Sequence, residues 1–479
     1  MPFDSNRVWV AGEDQSLHET CGVIGVYAPG LDVAQAAFYG LYALQHRGQE
    51  SAGIATATGE RIHCYTNMGL VSQAFRESDL QRLEGHIAIG HTRYSTTGST
   101  HIRNAQPLLA RSDGLELALA HNGNVINAQE LRAELAEQGF SFASSTDSEV
   151  IAQLLAYAPG LGWAEKVGYL MRRLQGAYSL TVLTKDTLLG IRDPRGVRPL
   201  CLGRLNGGWI IASESCALDH LGGQYLRDVE PGETIVIDRD GLRSIPYPGE
   251  RPKAAPCIFE HIYFARPDSL LEGKLTYLTR QEMGRQLARE HPVEADLVMG
   301  VPDSATAAAV GYAQESRIPY TEGLVKNRYV GRTFIQPDQR IRDLGVRLKF
   351  NPLPEVIGGK RVVVVDDSIV RGTTTPQVVG LLRKAGATEV HMRVCAPPIR
   401  YPCHFGVDMA SKRELIAANM SLEEIRRFIG ADSLGYLSVE GLLKTAGGEQ
   451  GKTFCAACFT GQYPIPVQLE MDKLALERP

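Results

Sequence analysis

Residues 362–375 read VVVVDDSIVRGTTT, from Val362 to Thr375. Four consecutive valines form a β-branched run of the kind that fills a strand buried on both faces. The run ends in Asp366-Asp367. Successive strand residues point to opposite faces, so both carboxylates can face one ligand only if the chain turns there. Ser368, Gly372, Thr373, Thr374 and Thr375 follow, small and rich in N–H and hydroxyl donors, and lead into a helical pattern over 375–385. The N-terminus of such a helix is a site for anions. The donors suit a 5′-phosphate, and the acid pair suits ribose hydroxyls or a magnesium-bound diphosphate. A solvated turn between strand and helix accounts for Asp-Asp alone, but poorly for the whole pattern. No Gly-Lys-Ser/Thr follows, so this is not a Walker A loop.

Outward from this stretch, 389–394 reads as a further strand. Upstream, 275–289 reads as a helix, 295–301 as a buried strand and 306–314 as a helix. Strand, loop, helix, strand predicts an α/β unit with a parallel sheet, whose ligands bind at the carboxyl ends of the strands. The last eighty residues read as helical, with capping-box patterns at Ser411/Glu414 and Ser421/Glu424. Before residue 240 the texture differs. Short strands are expected over 21–28, 86–91, 115–120, 179–183, 209–212 and 234–237. Helices are expected over 32–45, 129–138, 147–156 and 164–174. That mix predicts stacked sheets with helices outside. The Pro-rich, basic stretch 246–256 is the expected boundary between the two parts.

The chain has 479 residues, enough for several domains, with 44% apolar and 22% charged residues. This is ordinary globular composition and excludes a wholly disordered or collagen-like chain. Fifty basic against 54 acidic side chains give a net charge of −4. That argues against a general nucleic-acid binder or a polybasic membrane anchor. No apolar run is long enough to span a bilayer. Asp4, Arg7, Glu13, Asp14 and Glu19 make the first twenty residues too polar for a signal peptide. The expected location is the cytoplasm, where thiols stay reduced, so the nine cysteines are not read as a disulfide framework.

The 362–375 pattern resembles the diphosphoribose-binding signature of type I phosphoribosyltransferases. Other segments agree. Val301-Pro302-Asp303-Ser304 resembles the loop that holds the diphosphate and its metal, and Asn327-Arg328-Tyr329, Gly331-Arg332-Thr333-Phe334 and Gln336 to Lys349 form a long basic stretch. Arg328, Arg332, Arg340, Arg342, Arg347 and Lys349 in that stretch read by themselves as a solvated face. Beside the phosphate motif they suit a mobile lid, because a diphosphate needs cations and exclusion of water. The resemblance implies phosphoribosyl diphosphate contacts from Asp366, Asp367, Ser368, Arg371, Gly372, Thr373, Thr374, Arg328, Arg332 and Lys349. It implies Mg²⁺ held at Ser304, Asp366 and Asp367. Ala305-Thr306 departs from the usual Gly and longer polar residue.

Cys21 opens the run CGVIGVYA and reads alone as a core thiol. Four polar segments follow: Gln45 to Gly53 (QHRGQESAG), Gly90 to Thr96 (GHTRYST), His121 to Asn124 (HNGN) and Thr146 to Glu149 (TDSE). Each has a plain reading as a cap, turn or surface pair, and Asn-Gly is the commonest hairpin turn. In this order they resemble the glutaminase domain of N-terminal nucleophile amidotransferases. The resemblance implies removal of residues 1–20, which leaves Cys21 with a free α-amino group. With a reference pKa of about 7.7–8.0 that amine serves as the base for its own thiol. It also implies Asn122 and Gly123 as the oxyanion hole, and Arg93 and Asp147 as holders of the substrate carboxylate and ammonium. Arg47 lies in the same motif and is placed with the glutamine-binding residues.

Cys455-Ala456-Ala457-Cys458 is a C-x-x-C that reads as a zinc half-site, a redox pair or chance. Cys257 and Cys403 are candidates for two further ligands, and the spacing alone identifies no metal. The segments around Cys257, Cys403 and Cys455/Cys458 resemble the [4Fe–4S]-binding segments of the iron–sulfur class of enzymes that join these two domains. His261, between them, stands where relatives often have an aromatic residue. Cys64, Cys201, Cys216 and Cys395 are read as small core side chains.

Together these resemblances imply an α/β and α+β chain: an N-terminal αββα sandwich, then an α/β parallel-sheet phosphoribosyltransferase domain. The expected divisions are a propeptide (1–20), a glutaminase domain (21–250), a phosphoribosyltransferase domain (255–410) and a helical segment with cluster ligands (411–479). The implied reaction turns glutamine, phosphoribosyl diphosphate and water into phosphoribosylamine, glutamate and diphosphate, with ammonia passed between two sites. That is the committed step of de novo purine synthesis. Purine nucleotides as feedback inhibitors and a homotetramer or homodimer are implied too, with no nucleic acid or membrane partner. The rivals are a non-catalytic nucleotide sensor and an uncoupled glutaminase.

Overall fold

The computed structural model describes residues 21–95, 98–112, 114–327, 349–407, 411–447, 453–467 and 476. They fall into two compact units. One holds 21–279 with 402–407 and the described residues from 446 onward; the other holds 280–401 and 411–445.

The first unit contains two antiparallel sheets. The seven-stranded sheet runs in the order Gln224–Asp228, Cys201–Leu205, Gly208–Ala212, Gly22–Tyr27, Ile87–Arg93, Ser51–Ala57, Ile62–Met68. The six-stranded sheet runs Gly241–Ile245, Thr234–Asp238, Leu188–Arg192, Gly176–Leu183, Leu115–Val125, Leu108–Ser112. Strand Gly22–Tyr27 shows why its sequence is apolar throughout. Ile24 and Val26 pack with Ala37, Leu41 and Leu44 of the Val33–Ala43 helix region. Val23 and Tyr27, one step out of phase, pack with Ala118, Ala120, Leu183 and Leu188 of the second sheet. The outer face of that sheet (Leu117, Leu119, Leu180) packs with Leu131, Ile151 and Leu170 of three helices, Ala128–Glu137, Asp147–Tyr157 and Trp163–Arg173. This is the expected αββα sandwich. Each fully buried aliphatic side chain in these layers contributes about 1.5–3 kcal/mol of burial free energy. Asp32 caps the first helix, its Oδ1 accepting from Gln35 N at 2.9 Å.

Three expectations are corrected. His121 to Asn124 does not end a strand: pairing continues through Asn122↔Ser179 and Gly123↔Tyr178 to Val125↔Gly176. Gly123 takes a φ of +149°, and a Cβ there would lie 2.0 Å from the Ala177 carbonyl oxygen. Asn-Gly thus marks a close approach between strands rather than a turn. The 246–256 stretch is not the division between units, because 257–279 stays with the sandwich. Arg266 N and Ser269 Oγ both donate to the buried Glu214 Oε2, at 2.8 and 2.6 Å. The last eighty residues are not uniformly helical. Ser433–Tyr436 is a strand, and Ala457–Thr460 is a single turn. The capping box forms at Ser421/Glu424. At Ser411 only the short turn Lys412–Glu414 follows, with Glu414 engaged by Arg371 Nε at 2.9 Å.

The second unit is built on four parallel strands in the order Leu297–Gly300, Arg361–Asp366, Glu389–Val394, Ser433–Tyr436. Helices Thr306–Ser316, Thr375–Lys384 and Leu422–Ile429 lie along its crossovers. Val362, Val364, Val390 and Met392 pack with Val378, Leu382, Ile425 and Ile429. The arrangement delivers Val301–Ser304 and Asp366–Thr374 to the carboxyl ends of two adjacent strands, where α/β sheets bind ligands.

Candidate active sites

In the sandwich, Cys21 directly precedes strand Gly22–Tyr27, and the register Gly22↔Thr92 places it beside the end of strand Ile87–Arg93. Its buried thiol donates to Tyr94 O at 3.3 Å and lies 3.5 Å from Tyr94 N. Burial pushes the thiol up to about 11, with the Arg93 charge pulling it down and the Glu50 and Asp147 charges pushing it up. Cys21, Arg93, Glu50 and Asp147 therefore share one electrostatic neighbourhood. A thiol so raised is neutral at physiological pH and needs a local base before it attacks. Residues 1–20, whose removal would supply that amine, lie outside the described residues.

Arg93 Nη1 lies 3.4 Å from Glu50 Oε2 and donates to Ser99 O at 3.3 Å. Ser95 Oγ donates to the same Glu50 carboxylate. Asp147, in the first turn of its helix, accepts from Val125 N at 2.9 Å. Asn122 is fully buried, and both polar atoms of its amide lack a hydrogen-bond partner among the described residues. A buried amide left open at both ends is costly unless a ligand completes it.

Beneath lies a buried polar floor. His121 Nδ1 meets Ser148 Oγ at 3.1 Å, and Gln106 Nε2 donates to the same hydroxyl at 2.9 Å. His91 Nε2 donates to His121 O at 3.0 Å, while its Nδ1 is buried without a partner. Burial lowers both imidazoles, His91 to about 3. A histidine held neutral by folding costs stability as pH falls from about 6.5, its unfolded value, toward the folded value. We expect the parent to lose more of its thermal stability between pH 6.5 and 4 than His91→Gln, measured as Tm against pH. Parallel curves would contradict this.

The Arg47 guanidinium is fully buried and ion-paired with Glu214 and, at 2.7 Å, with Glu260. Arg198 completes the group, 3.2 Å from Glu260 and donating from Nε and Nη2 to Phe405 O at 2.9 and 2.7 Å. The Arg47 guanidinium is thus engaged by two buried carboxylates, while the residue's Cβ lies 3.4 Å from where a Cβ on Gly22, next to Cys21, would stand.

The four expected cluster cysteines are reduced and gather in this same unit. Cys257 and Cys455 form an isolated bridge, with Ile258 N donating to Cys455 O at 3.2 Å and Cys455 N to Pro256 O at 2.8 Å. Cys458 is raised by burial and then by the charges of Cys257, Cys403 and Cys455. The Arg198 charge opposes burial at Cys257. Among the described residues no three of His, Cys, Asp and Glu converge tightly enough for one metal ion. Four neighbouring thiols with a buried guanidinium beside them form a donor set that fits a thiolate-held group with net negative charge.

In the second unit, Asp366 and Asp367 sit at the end of their strand. Asp367 N donates to Asp366 Oδ1 at 2.9 Å, and Ser304 and Ser368 donate to the Asp367 carboxylate. Both acids are pushed up, chiefly by desolvation, and Asp366 also by its neighbour's charge; Lys349 opposes the shift at Asp366 and Arg280 at Asp367. Crowded, destabilised carboxylates of this kind suit a divalent cation. Ser368, Gly372, Thr373 and Thr374 lie where expected, ahead of helix Thr375–Lys384. Arg371 is paired with Glu414 at 2.9 Å, and Lys326 with Asp303 at 2.8 Å. Arg328, Arg332, Arg340, Arg342 and Arg347 lie outside the described residues. Sequence reading missed Arg280, which is buried and faces Asp367. It also missed Glu50 as the ionic neighbour of Arg93, although Glu50 stands in the quoted motif.

A buried thiol heading an αββα sandwich, and an acid pair with a donor loop on a parallel sheet, define a glutamine amidotransferase joined to a phosphoribosyltransferase. The comparisons with known proteins agree. Residues 91–220 match a glutamine amidotransferase domain. The chain is 51% identical over 467 residues to the amidophosphoribosyltransferase of Mycobacterium tuberculosis, covering 95% of this chain and 88% of that one. It is 50% identical over 468 residues to that of Methanocaldococcus jannaschii, covering 94% and 98%. The structure of the B. subtilis glutamine phosphoribosylpyrophosphate amidotransferase complexed with ADP and GMP aligns at a TM-score of 0.88 and 45% identity, over 94% of this chain and 99% of that one. The chain belongs to the amidophosphoribosyltransferase family, the enzymes of the first step of purine biosynthesis.

Proposed function

We propose that Cys21, with its own α-amino group as base, attacks the side-chain amide of glutamine, and that phosphoribosyl diphosphate reacts with the released ammonia at Asp366–Thr374. The observation that carries this reading is that Cys21 lies beside the end of the strand bearing Arg93, its thiol against Tyr94 and within the fields of Arg93, Glu50 and Asp147. The neutral amine accepts the thiol proton and returns it to the leaving nitrogen, so ammonia departs and a γ-glutamyl thioester remains. Water then releases glutamate. The Asn122 amide and Gly123 N–H meet the developing oxyanion, where loss of one donor typically costs about 10²–10³ in rate. Arg93 binds the substrate α-carboxylate in place of Glu50, and Asp147 binds the α-ammonium.

In the second unit, Ser368, Gly372, Thr373 and Thr374 cradle the 5′-phosphate, and Asp366 and Asp367 bind the ribose hydroxyls. Ser304, Asp366 and Asp367 hold Mg²⁺, which when bound neutralises the diphosphate leaving group. Arg371, Arg328, Arg332 and Lys349 supply further cations. Supporting this is the raised acid pair, whose Asp367 already accepts from the Ser304 and Ser368 hydroxyls. Cys257, Cys403, Cys455 and Cys458 hold a [4Fe–4S] cluster, which ties the chain segments carrying them together. Purine nucleotides act as feedback inhibitors, as the relative's ADP and GMP complex suggests. The protein works as a homotetramer or homodimer in the cytoplasm. Among the described residues no helix is long and apolar enough to cross a membrane.

Two measurements on one anaerobic preparation test the proposal. Intact mass and N-terminal sequencing should show a chain starting at Cys21; active enzyme retaining residues 1–20 would contradict it. Metal analysis should give about four iron and four sulfide per chain, with a broad visible absorbance. Stoichiometric zinc without colour would contradict the cluster.

A further inference from the structure

The loop Cys403-His404-Phe405-Gly406 belongs to the sandwich unit and packs on the strand that carries Asn122 and Gly123, with 280 residues separating Asn124 from His404. Asn124 Nδ2 donates to His404 O at 2.9 Å, with both residues buried. Gly406, at φ +98°, is so close to Gly123 that a Cβ on it would lie 2.7 Å from the Gly123 carbonyl carbon and 2.9 Å from its Cα and O. Gly123 is also closely approached by Ala177, whose carbonyl oxygen would lie 2.0 Å from a Cβ on it. The loop itself is held from behind. Arg198 donates twice to Phe405 O, Phe405 N donates to Cys403 Sγ at 3.4 Å, and Tyr463 donates to Pro402 O at 2.8 Å while packing against the His404 and Phe405 rings.

We propose that this loop is the back wall of the oxyanion hole, and that Gly406 and Asn124 are positioning residues that fix the Gly123 peptide for the tetrahedral intermediate. Neither touches glutamine. Gly406 acts by filling the space behind the Gly123 peptide, and Asn124 by holding the loop in register with its strand. Gly123 thus has backbone from two distant segments, Gly406 and Ala177, packed close against it, which restrains the residue whose N–H is to be aimed at a transient charge. The inference rests on the reading of Asn122 and Gly123 as the oxyanion hole.

The test compares Gly406→Ala and Asn124→Asp with Asn122→Ala in the full, processed, cluster-loaded enzyme. Asn124→Asp keeps the shape of the side chain but turns an acceptor toward His404 O, so it serves if Gly406→Ala folds poorly. Displacing a catalytic group by a fraction of an ångström to one ångström costs up to about 10²-fold. We expect kcat for glutamine hydrolysis to fall about tenfold or more in both variants. KM for glutamine should stay within about threefold, since Arg93 and Asp147 are untouched. Phosphoribosylamine formation from added ammonia, and the visible absorbance of the four-thiol site, should match the parent. Parental kcat in either folded variant, a loss confined to KM, or an equal loss of the ammonia reaction would overturn the inference. If Asn122→Ala itself kept parental kcat, the oxyanion reading beneath it would fall instead.

Discussion

Cys21→Ala should abolish glutamine-dependent turnover, by at least about 10³-fold, and leave product formation from added ammonia at the parental rate. The large effect follows from covalent chemistry: without a nucleophile the amide has no route to a thioester, and water attacks amides slowly. The sparing of the ammonia reaction follows from the separation of the machinery. Asp366, Asp367, Ser304 and the 368–374 loop belong to a different unit from Cys21. Alanine fits the site, because the thiol is buried and among the described residues it makes only weak contacts with the Tyr94 backbone. Glutamate release and phosphoribosylamine formation with glutamine or ammonium salt read both halves. Loss of both activities in a folded variant would contradict the assignment.

Asp367→Asn should have the opposite selectivity. We expect it to lower phosphoribosyl transfer from either nitrogen source by about 10²–10³, on the scale of losing one aligned electrostatic group. Its effect on stability has a definite sign. A carboxyl whose folded pKa is raised above its unfolded value destabilises the fold once pH exceeds the unfolded value. Both acids of the pair are raised, through enclosure and, for Asp366, its neighbour's charge. Without Mg²⁺ at pH 7, Asp367→Asn should therefore melt at or above the parental temperature. The parent should gain Tm on adding Mg²⁺ and phosphoribosyl diphosphate, and the variant should gain less. A variant that melts well below the parent yet keeps full activity would refute both parts.

The phosphate loop was legible because its sequence is local: a valine run sets the strand, adjacent acids end it, and small donors open the helix. Cys21 reads locally only as a core thiol before a strand buried on both faces, and what singles it out is the set of polar segments that follow it far along the chain. Local reading failed where a distant segment decides the outcome. Asn122-Gly123 carries the signature of a turn, and only the pairing with Gly176–Leu183 reveals a continuous strand. Glu214 reads as an ordinary charge, yet buried it gathers Arg47, His46 and Ser269, and so keeps 257–279 with the sandwich. Gly406 lies in the segment around Cys403, which the sequence marks only for its cysteine, and its approach to Gly123 is visible only in the fold. Arg280 sits in an unexceptional helix, and nothing short of the fold shows that it faces Asp367.

If one chain links glutamine hydrolysis to phosphoribosyl transfer, the two activities depend on each other. Release of glutamate and diphosphate is followed with each substrate alone and with both together. Single substrates should give little of either product, and glutamine with phosphoribosyl diphosphate should give near-equal amounts of both. Glutamate released at the same rate with or without phosphoribosyl diphosphate, and no diphosphate formed, would contradict it.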